Sequence, residues 1–242
     1  IGGLIEEHFH WQITLRFMYF LGMIALLLIW FDQSETIKEK QVSLFAQVKG
    51  YSNLFSNKQF WFYALILGFT TACYFCFLTG APIISDIYFK ISPSTQGYFF
   101  AIPGIGFLLG NYLTGRFTIR FGTKKMMIWG CFIALIGPLM QFCTLNLFNL
   151  GALGLFGPMF FVGLGQGLTL PNAAAGIVSV NPKLAGTASG LGSTIQISIG
   201  GLLAFLTGYF LSISNSPLQL VIIFFVCLVL SLIFTFFIRI DD

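Results

Sequence analysis

This sequence is short of charge. Of its 242 residues, eight are Asp or Glu and twelve are Lys or Arg, which together make up 8% of the chain. Soluble domains carry about 25% charged residues, because a surface that faces water needs them. We therefore expect lipid to surround most of this chain. The twelve basic residues are too dispersed to form a groove that follows phosphates, so we expect no nucleic-acid partner.

Ionisable groups are absent from the apolar stretches. Apart from Arg16, near one end of its stretch, the long apolar runs contain no Asp, Glu, Lys, Arg or His. An intramembrane enzyme needs such groups within the bilayer, so we expect no enzymatic activity. The only histidines, His8 and His10, stand beside Glu6 and Glu7 in a short polar segment typical of a solvated turn. No metal site is expected there.

Cysteine is also scarce and supports no disulfide framework. All five cysteines lie inside apolar runs, at Cys73, Cys76, Cys131, Cys143 and Cys227. Disulfide frameworks belong to small secreted domains, and this composition is not of that kind. We interpret these cysteines as small hydrophobic residues.

Long apolar runs are the main feature that the sequence does have. Hydrophobic residues make up 57% of the chain, and 30 residues are Phe. A bilayer core about 30 Å thick requires about 20 apolar residues in a helix, which also satisfies its own backbone hydrogen bonds. The sequence predicts an all-α polytopic membrane protein with seven spans. They cover 13–31, 59–80, 96–114, 126–144, 147–170, 187–211 and 218–238.

The basic residues predict the orientation of these spans. Ten of the twelve fall on one side of the predicted membrane: Lys38, Lys40, Lys49, Lys58, Arg116, Arg120, Lys124, Lys125, Lys183 and Arg239. Only Arg16 and Lys90 fall on the other side. Because loops rich in Lys and Arg stay in the cytoplasm, we expect a cytoplasmic C-terminus and residue 1 outside. An odd number of spans starting outside, without an initiator Met, leads us to expect earlier spans in a longer protein.

A basic motif stands between the third and fourth predicted spans. The stretch "TGRFTIRFGTKK" at 114–125 contains Gly115, Arg116, Arg120, Gly122 and Lys124. Glycines suit a tight connection, and cations can lie against the partly negative C-terminal ends of neighbouring helices. The pattern G-x-x-x-x-R-x-G-x-K resembles the signature loop of major facilitator superfamily transporters. Ile119 replaces the family's Asp and Thr123 its second Arg, as in the weaker copy between helices eight and nine.

Two longer stretches resemble one branch of that family. Residues 80–111 and 163–201 are similar to helices seven to eight and ten to eleven of the bicyclomycin-resistance (Bcr/CflA) branch of multidrug efflux transporters. The resemblance implies a partial major-facilitator fold, with helices six to twelve of a twelve-helix parent. Residues 1–31 would end helix five and form helix six. Residues 32–58 would be the cytoplasmic loop between two halves, and 59–242 the C-terminal six-helix half.

Polar and aromatic side chains inside the spans are the candidates for a substrate cavity. The resemblance places helices seven, eight, ten and eleven around it, which selects Phe69, Tyr74, Phe77, Gln166, Asn172 and Gln196. The alternative for each polar residue is a hydrogen bond between helices, typically worth about 0.6 kcal/mol. Small residues four apart predict close helix contacts at three pairs: Gly106 and Gly110, Gly186 and Gly190, and Ala188 and Gly192.

The resemblance implies a secondary active transporter of the bacterial inner membrane, a multidrug/proton antiporter that exports lipophilic molecules by alternating access. Its partners would be drug-like substrates, protons, the lipid bilayer and the N-terminal half of the longer parent protein, which is missing from this sequence. The proton gradient would supply the energy, without a cofactor. Since the spans lack a carboxylate, we expect the proton carrier outside this chain. The alternative is a seven-helix receptor with its N-terminus outside, although no D-R-Y or N-P-x-x-Y motif stands where a receptor would have it.

Overall fold

The computed structural model describes residues 11–32, 51–148, 150–214 and 216–239, and these residues are almost entirely helical, with no strand among them. The helices are α1 (Trp11–Asp32), α2 (Lys58–Ile84), α3 (Pro93–Phe121), α4 (Thr123–Asn146), α5 (Gly151–Phe156), α6 (Met159–Ser179), α7 (Ala185–Ser214) and α8 (Pro217–Phe237). A π-helical turn, Ser85–Phe89, continues α2, and a 3-10 turn, Pro182–Leu184, precedes α7. The predicted all-α class is confirmed.

Six helical stretches in the described residues are long and apolar enough to cross a membrane, where the sequence predicted seven. The chain is therefore a multi-pass membrane protein. The prediction that fails this measure is 96–114, which lies within α3, a helix of 29 residues. Four glycines, Gln96 and Asn111 dilute the apolar content of 96–114. The predicted span 147–170 is also misplaced, because helix begins at Gly151 and continues to Ser179.

Local capping explains where the helices begin. The Asn57 side-chain oxygen accepts hydrogen bonds from the backbone N–H groups of Gln59, at 2.8 Å, and Phe60, at 3.4 Å, and so starts α2. Ser92 caps α3 in the same way, with its hydroxyl 3.3 Å from the Thr95 nitrogen. Such caps satisfy backbone donors that have no partner within the helix.

Helices α2 to α8 pack as a bundle with α6 near its centre. Helix α6 contacts α2, α3, α4 and α7, while α8 packs on α2 and α4, and α7 packs along α2. In the α5–α6 span, 67% of the most apolar stretch is buried, against 0% for α1. The side chains of α1 are largely exposed, as a helix in lipid permits.

The bundle core near the C-terminal end of α2 is aromatic. Phe77 lies at its centre, fully buried, with ring centroids 4.8 Å from Phe100 and 5.8 Å from Phe156. Phe224 of α8 closes the cluster at 6.4 Å. Ring pairs at these separations are favourable beyond the area they bury.

Glycines bring α3 and α6 into backbone contact. A Cβ atom added to Gly106 or Gly110 would overlap backbone carbonyls of α6, and one added to Gly163 would overlap the carbonyl of Pro103. The predicted close contact at Gly106 and Gly110 is confirmed.

The two predicted small-residue pairs on α7 have opposite outcomes. Ala188 is buried and Gly192 packs on Ile177, as predicted. The prediction for Gly186 and Gly190 is wrong, because both have open space around them. Residues two apart lie on nearly opposite sides of a helix. The inward stripe at 188 and 192 therefore turns 186 and 190 outward.

Candidate functional site

A cavity of about 250 Å³ lies between α2, α3 and α6. Its lining consists of Thr71, Tyr74, Pro103, Gly104, Phe107, Gln166 and Leu170. Gly104 has no side chain to fill the space, and Thr71 lies halfway along α2. We call this the α2–α3–α6 cavity. Among the residues that the structure describes, no Asp, Glu, Lys, Arg or His lines it.

Two glutamines attach neighbouring helices to α2 at this cavity. The side-chain nitrogen of Gln166, on α6, donates to the backbone carbonyl of Thr70 at 2.9 Å, and Gln166 is only 4% exposed. The side-chain nitrogen of Gln196, on α7, donates to the hydroxyl of Thr71 at 2.6 Å. Both therefore make the interhelical hydrogen bonds that the sequence left as the alternative to substrate contact.

The structure places three of the six cavity candidates at the cavity. Tyr74 and Gln166 line it, and Gln196 reaches its edge through Thr71. Phe69 lies elsewhere, because its ring stacks on Phe234 of α8 with centroids 5.9 Å apart and planes 9° from parallel. Phe77 belongs to the buried aromatic core rather than to a cavity wall.

Asn172 makes a hydrogen bond between α6 and α3 and does not line the cavity. It is 2% exposed, its amide nitrogen donates to the Leu168 carbonyl at 2.7 Å, and its amide oxygen accepts from the Thr118 hydroxyl at 3.1 Å. Nearby, the Thr114 hydroxyl donates to the Gly167 carbonyl at 2.9 Å. These bonds continue the α3–α6 contact beyond its glycines.

The basic motif is helical except at one residue. Gly115, Arg116 and Arg120 lie in α3, and only Gly122 separates α3 from α4. The predicted connection over 115–125 is therefore corrected to a single glycine. Gly122 has φ +82° and ψ 155°, a backbone conformation that is essentially restricted to glycine. Arg and Lys are good helix formers, which explains why the motif continues the helices.

Lys124 joins the start of α4 to the end of α8. Its ammonium group donates to the carbonyl of Ile238, one residue beyond α8, at 2.5 Å. The next backbone N–H, that of Arg239, donates to the side-chain oxygen of Gln59 at 3.3 Å. A cation at a helix C-terminus is favoured by the helix dipole. Arg116 and Arg120 are exposed, and the Arg120 guanidinium carbon lies 5.3 Å from the Phe121 ring centroid.

These contacts gather basic residues at one end of the bundle, as the sequence predicted. A cavity of about 340 Å³ lies there, lined by Asn57, Gln59, Tyr63, Thr123, Ser179, Val180 and Arg239. We call this the basic end, and define it by Lys58, Lys124, Lys125 and Arg239.

Comparison with known proteins identifies the family. Two overlapping regions of the chain, residues 1–196 and 81–242, match the sequence pattern of the Major Facilitator Superfamily. The chain belongs to this superfamily. The predicted resemblance is confirmed, and the helices described above are part of a major-facilitator fold.

Relatives within the Major Facilitator Superfamily include proteins named for drug resistance. The chain is 26% identical over 211 residues to a bicyclomycin resistance protein homolog of Haemophilus influenzae, covering 84% of this chain and 52% of that protein. It is 27% identical over 212 residues to multidrug resistance protein D of Escherichia coli, covering 86% and 52%. An MFS-type transporter of Bacillus subtilis, YdgK, is 23% identical over 201 residues, covering 82% and 50%. The chain spans about half the length of these curated relatives.

Membership of the superfamily decides between the two function classes left open by the sequence. It favours transport, and the alternative of a seven-helix receptor is not supported. Members of the superfamily are generally not enzymes. Within the described residues, no three His, Cys, Asp or Glu side chains come together in a way that could hold a metal ion. The polar stretch with His8 and His10, and most of the predicted 32–58 loop, lie outside the described residues.

Sequence reasoning missed most of the cavity lining. Thr71, Pro103, Gly104, Phe107 and Leu170 line it and were not selected. Only the Pro103–Gly104 pair, inside a predicted span, carried a signal, since it marks a place where helix packing is interrupted. Phe107 and Leu170 are indistinguishable in the sequence from other apolar residues of the spans.

Proposed function

We propose that this chain is part of a secondary active transporter that exports lipophilic small molecules in exchange for protons. The observation that carries the proposal is the uncharged α2–α3–α6 cavity, halfway along α2, in a member of the Major Facilitator Superfamily. Secondary transporters bind their substrates near the midplane of the bilayer, between repeats that rock against each other. The position of Thr71, the middle residue of α2, agrees with such a site.

The chemistry of the cavity supports a lipophilic substrate. Pro103, Phe107 and Leu170 offer apolar surface, while Gln166 and Tyr74 supply the few polar groups. Small-molecule sites typically combine a mainly apolar lining with a small number of placed polar groups. Two relatives carry names that refer to bicyclomycin and multidrug resistance, and we extend drug export to this chain as part of the proposal.

Proton coupling assigns a role to a group outside this chain. An antiporter needs an ionisable side chain that takes up and releases a proton within the membrane. The lining of the α2–α3–α6 cavity supplies no carboxylate. We place the proton carrier in an N-terminal half, with residues 1–31 completing that half, 32–58 connecting the halves and 59–242 forming the C-terminal half. The excess of basic residues at one end supports a cytoplasmic C-terminus in a bacterial inner membrane.

In this proposal the motif residues Gly115, Arg116, Arg120, Gly122 and Lys124 form a cytoplasmic gate beside the basic end. The bond from Lys124 to the Ile238 carbonyl supports the assignment, because it fixes the motif to the end of α8 so that this half can move as one body. Arg116 and Arg120 are exposed and available to the helix ends of the opposite half.

Drug efflux tests the proposal. Cells that express the complete gene product, and cells with the empty vector, are loaded with a panel of lipophilic fluorescent compounds, and their loss from the cells is followed with and without a proton uncoupler. We expect efflux of at least one compound that stops when the uncoupler is added. Loss of compounds at the vector rate, or efflux that the uncoupler does not affect, contradicts proton-coupled export.

Neutralising the three cations of the gate motif tests the proposed gate. The triple variant Arg116→Gln, Arg120→Gln, Lys124→Gln should lower efflux roughly tenfold, the effect of losing about 1.4 kcal/mol, as expected for charge-assisted hydrogen bonds. Lys125→Gln is the matched control, because Lys125 is exposed and adjacent to Lys124. Membrane-inserted protein is quantified in parallel. Normal efflux by the triple variant would contradict the gate and would mean that the motif only sets the orientation of the helices in the membrane.

A further inference from the structure

In the side-chain amide of Gln166, the nitrogen makes a hydrogen bond and the oxygen makes none with the described residues. Its nitrogen donates to the Thr70 carbonyl at 2.9 Å, which fixes the orientation of the amide. Its oxygen accepts no hydrogen bond from the described residues. It is also not one of the described polar atoms that lack a partner and are inaccessible to solvent, so part of its surface is accessible. Because Gln166 lines the α2–α3–α6 cavity, this oxygen is a hydrogen-bond acceptor open to the cavity.

A second glutamine shows that this arrangement is particular to the cavity. Gln141, on α4, also donates its amide nitrogen to a backbone carbonyl of another helix, that of Leu155, at 2.6 Å. Its oxygen likewise has no partner, but Gln141 is fully buried and lines none of the cavities described here. The two glutamines therefore make the same structural bond, and only Gln166 presents an acceptor to a space that a molecule can enter.

The other polar groups at the cavity are neutral hydroxyls. Thr71 already accepts a hydrogen bond from Gln196 at 2.6 Å, and Tyr74 contributes a phenol. None of the described lining residues is Asp, Glu, Lys, Arg or His, so they offer no counter-charge to an ionic group that leaves water to enter the cavity. Burial of an unpaired charge is strongly unfavourable, whereas a neutral donor loses little once it is hydrogen-bonded.

The other lining residues determine the size and polarity of a molecule that fits the cavity. Pro103, Phe107 and Leu170 form apolar walls around about 250 Å³. Sites that enclose a whole drug-sized molecule begin at about 300 Å³, so we expect this slightly smaller cavity to hold part of such a molecule.

We infer that this cavity recognises the uncharged, apolar portion of a substrate that carries one hydrogen-bond donor, such as a secondary amide N–H, and that Gln166 Oε1 accepts that hydrogen. The inference rests on the proposed function, which makes this cavity the substrate site. The inference narrows the proposed substrate class from lipophilic molecules in general to uncharged molecules with a hydrogen-bond donor. Gln166 would distinguish molecules that carry this donor from those that lack it.

A matched set of compounds tests the inference with the complete gene product. The set is an aromatic secondary amide, its N-methyl tertiary amide and a quaternary ammonium compound on the same aromatic scaffold. Competition with an exported fluorescent compound, and binding to purified protein in nanodiscs, are measured for wild type, Gln166→Met and Gln141→Met. Each variant loses one interhelical hydrogen bond, so Gln141→Met controls for general loosening of the bundle.

We expect wild type to bind the secondary amide roughly three- to tenfold more tightly than the tertiary amide, as one hydrogen bond provides. Gln166→Met should abolish this ratio, while Gln141→Met should keep it, and the quaternary compound should bind weakest. Equal affinities in wild type, or a ratio that persists in Gln166→Met, overturns the inference, and the wild-type comparison needs no variant to fold. If no compound is exported, the proposed function fails, while the nanodisc affinities still decide how the cavity discriminates.

Discussion

Two contacts within the bundle, α3 on α6 and α2 on α8, are built in opposite ways. Backbone meets backbone between α3 and α6, at Gly106 and Gly163. Side chains meet between α2 and α8, where the Thr70 and Ser231 hydroxyls lie 2.7 Å apart and aromatic rings stack. Lipid provides no hydrophobic force between helices, so each contact depends on fit or on polar bonds.

The difference has a consequence for the cavity. Where glycines bring the two backbones together there are no rotamers to change, so we expect α3 and α6 to move as one unit. Side chains between α2 and α8 can adopt other rotamers, so α2 can shift more readily. We therefore expect the cavity to combine a more rigid wall with a more adjustable one, as the proposed binding of different lipophilic molecules would require.

Gly106→Ala should have the largest effect on this comparison. The added methyl group overlaps the Phe160 carbonyl, and we expect a loss of about 1–3 kcal/mol of unfolding free energy, typical of overpacking. Gly97→Ala, on the same helix with no atom within 4 Å, should instead stabilise by up to about 1 kcal/mol. Unfolding of the purified proteins by SDS in mixed micelles measures both. Equal effects would mean that the backbone contact is not tight.

Phe69→Leu should have a smaller effect, confined to stability. It removes the stack on Phe234 and should lower the unfolding free energy by about 1 kcal/mol. Because Phe69 lies outside the cavity, the ranking of exported compounds should not change. If the ranking of exported compounds changed at normal expression, Phe69 would contact the substrate, as the sequence predicted.

The hydroxyl pair should give the smallest effect. A double-mutant cycle of Thr70→Val and Ser231→Ala should yield a coupling of about 0.6 kcal/mol, since hydrogen bonds between membrane helices are weak. SDS unfolding of the four proteins gives this coupling. A coupling of several kcal/mol would show that the α2–α8 contact is as fixed as the α3–α6 contact.

The sequence predicted the membrane class and most spans because long uncharged runs are direct evidence of a lipid environment. It also predicted the backbone contact at Gly106 and Gly110, since small residues four apart share a helix face. It could not separate Phe77 in the core from Phe107 at the cavity. A helix such as α2 is apolar on all sides, so its sequence does not distinguish the inward face from the lipid-facing one.

The polar side chains posed a different difficulty. Gln166, Asn172 and Gln196 were all predicted as possible substrate contacts, and all three make hydrogen bonds between helices. Only the three-dimensional arrangement reveals that Gln166 does so while leaving its oxygen open to a cavity. Similarly, the one-residue connection at Gly122 could not be predicted, because its flanking Arg and Lys suit a helix and a loop equally.

Substrate protection of a cysteine at Phe107 tests the central claim, that the α2–α3–α6 cavity is the substrate site. Of the five cysteines in this chain only Cys143 is exposed, so Cys143→Ala, with any exposed cysteine elsewhere in the complete gene product also replaced, provides the background. Phe107→Cys places a thiol in the cavity, and Leu108→Cys, at a side chain that is 70% exposed and absent from the cavity lining, is the control. The rate of alkylation by a maleimide is measured with and without a saturating exported compound. The account predicts slower labelling at position 107 alone; an unchanged rate there, in a protein that exports the compound, would contradict it.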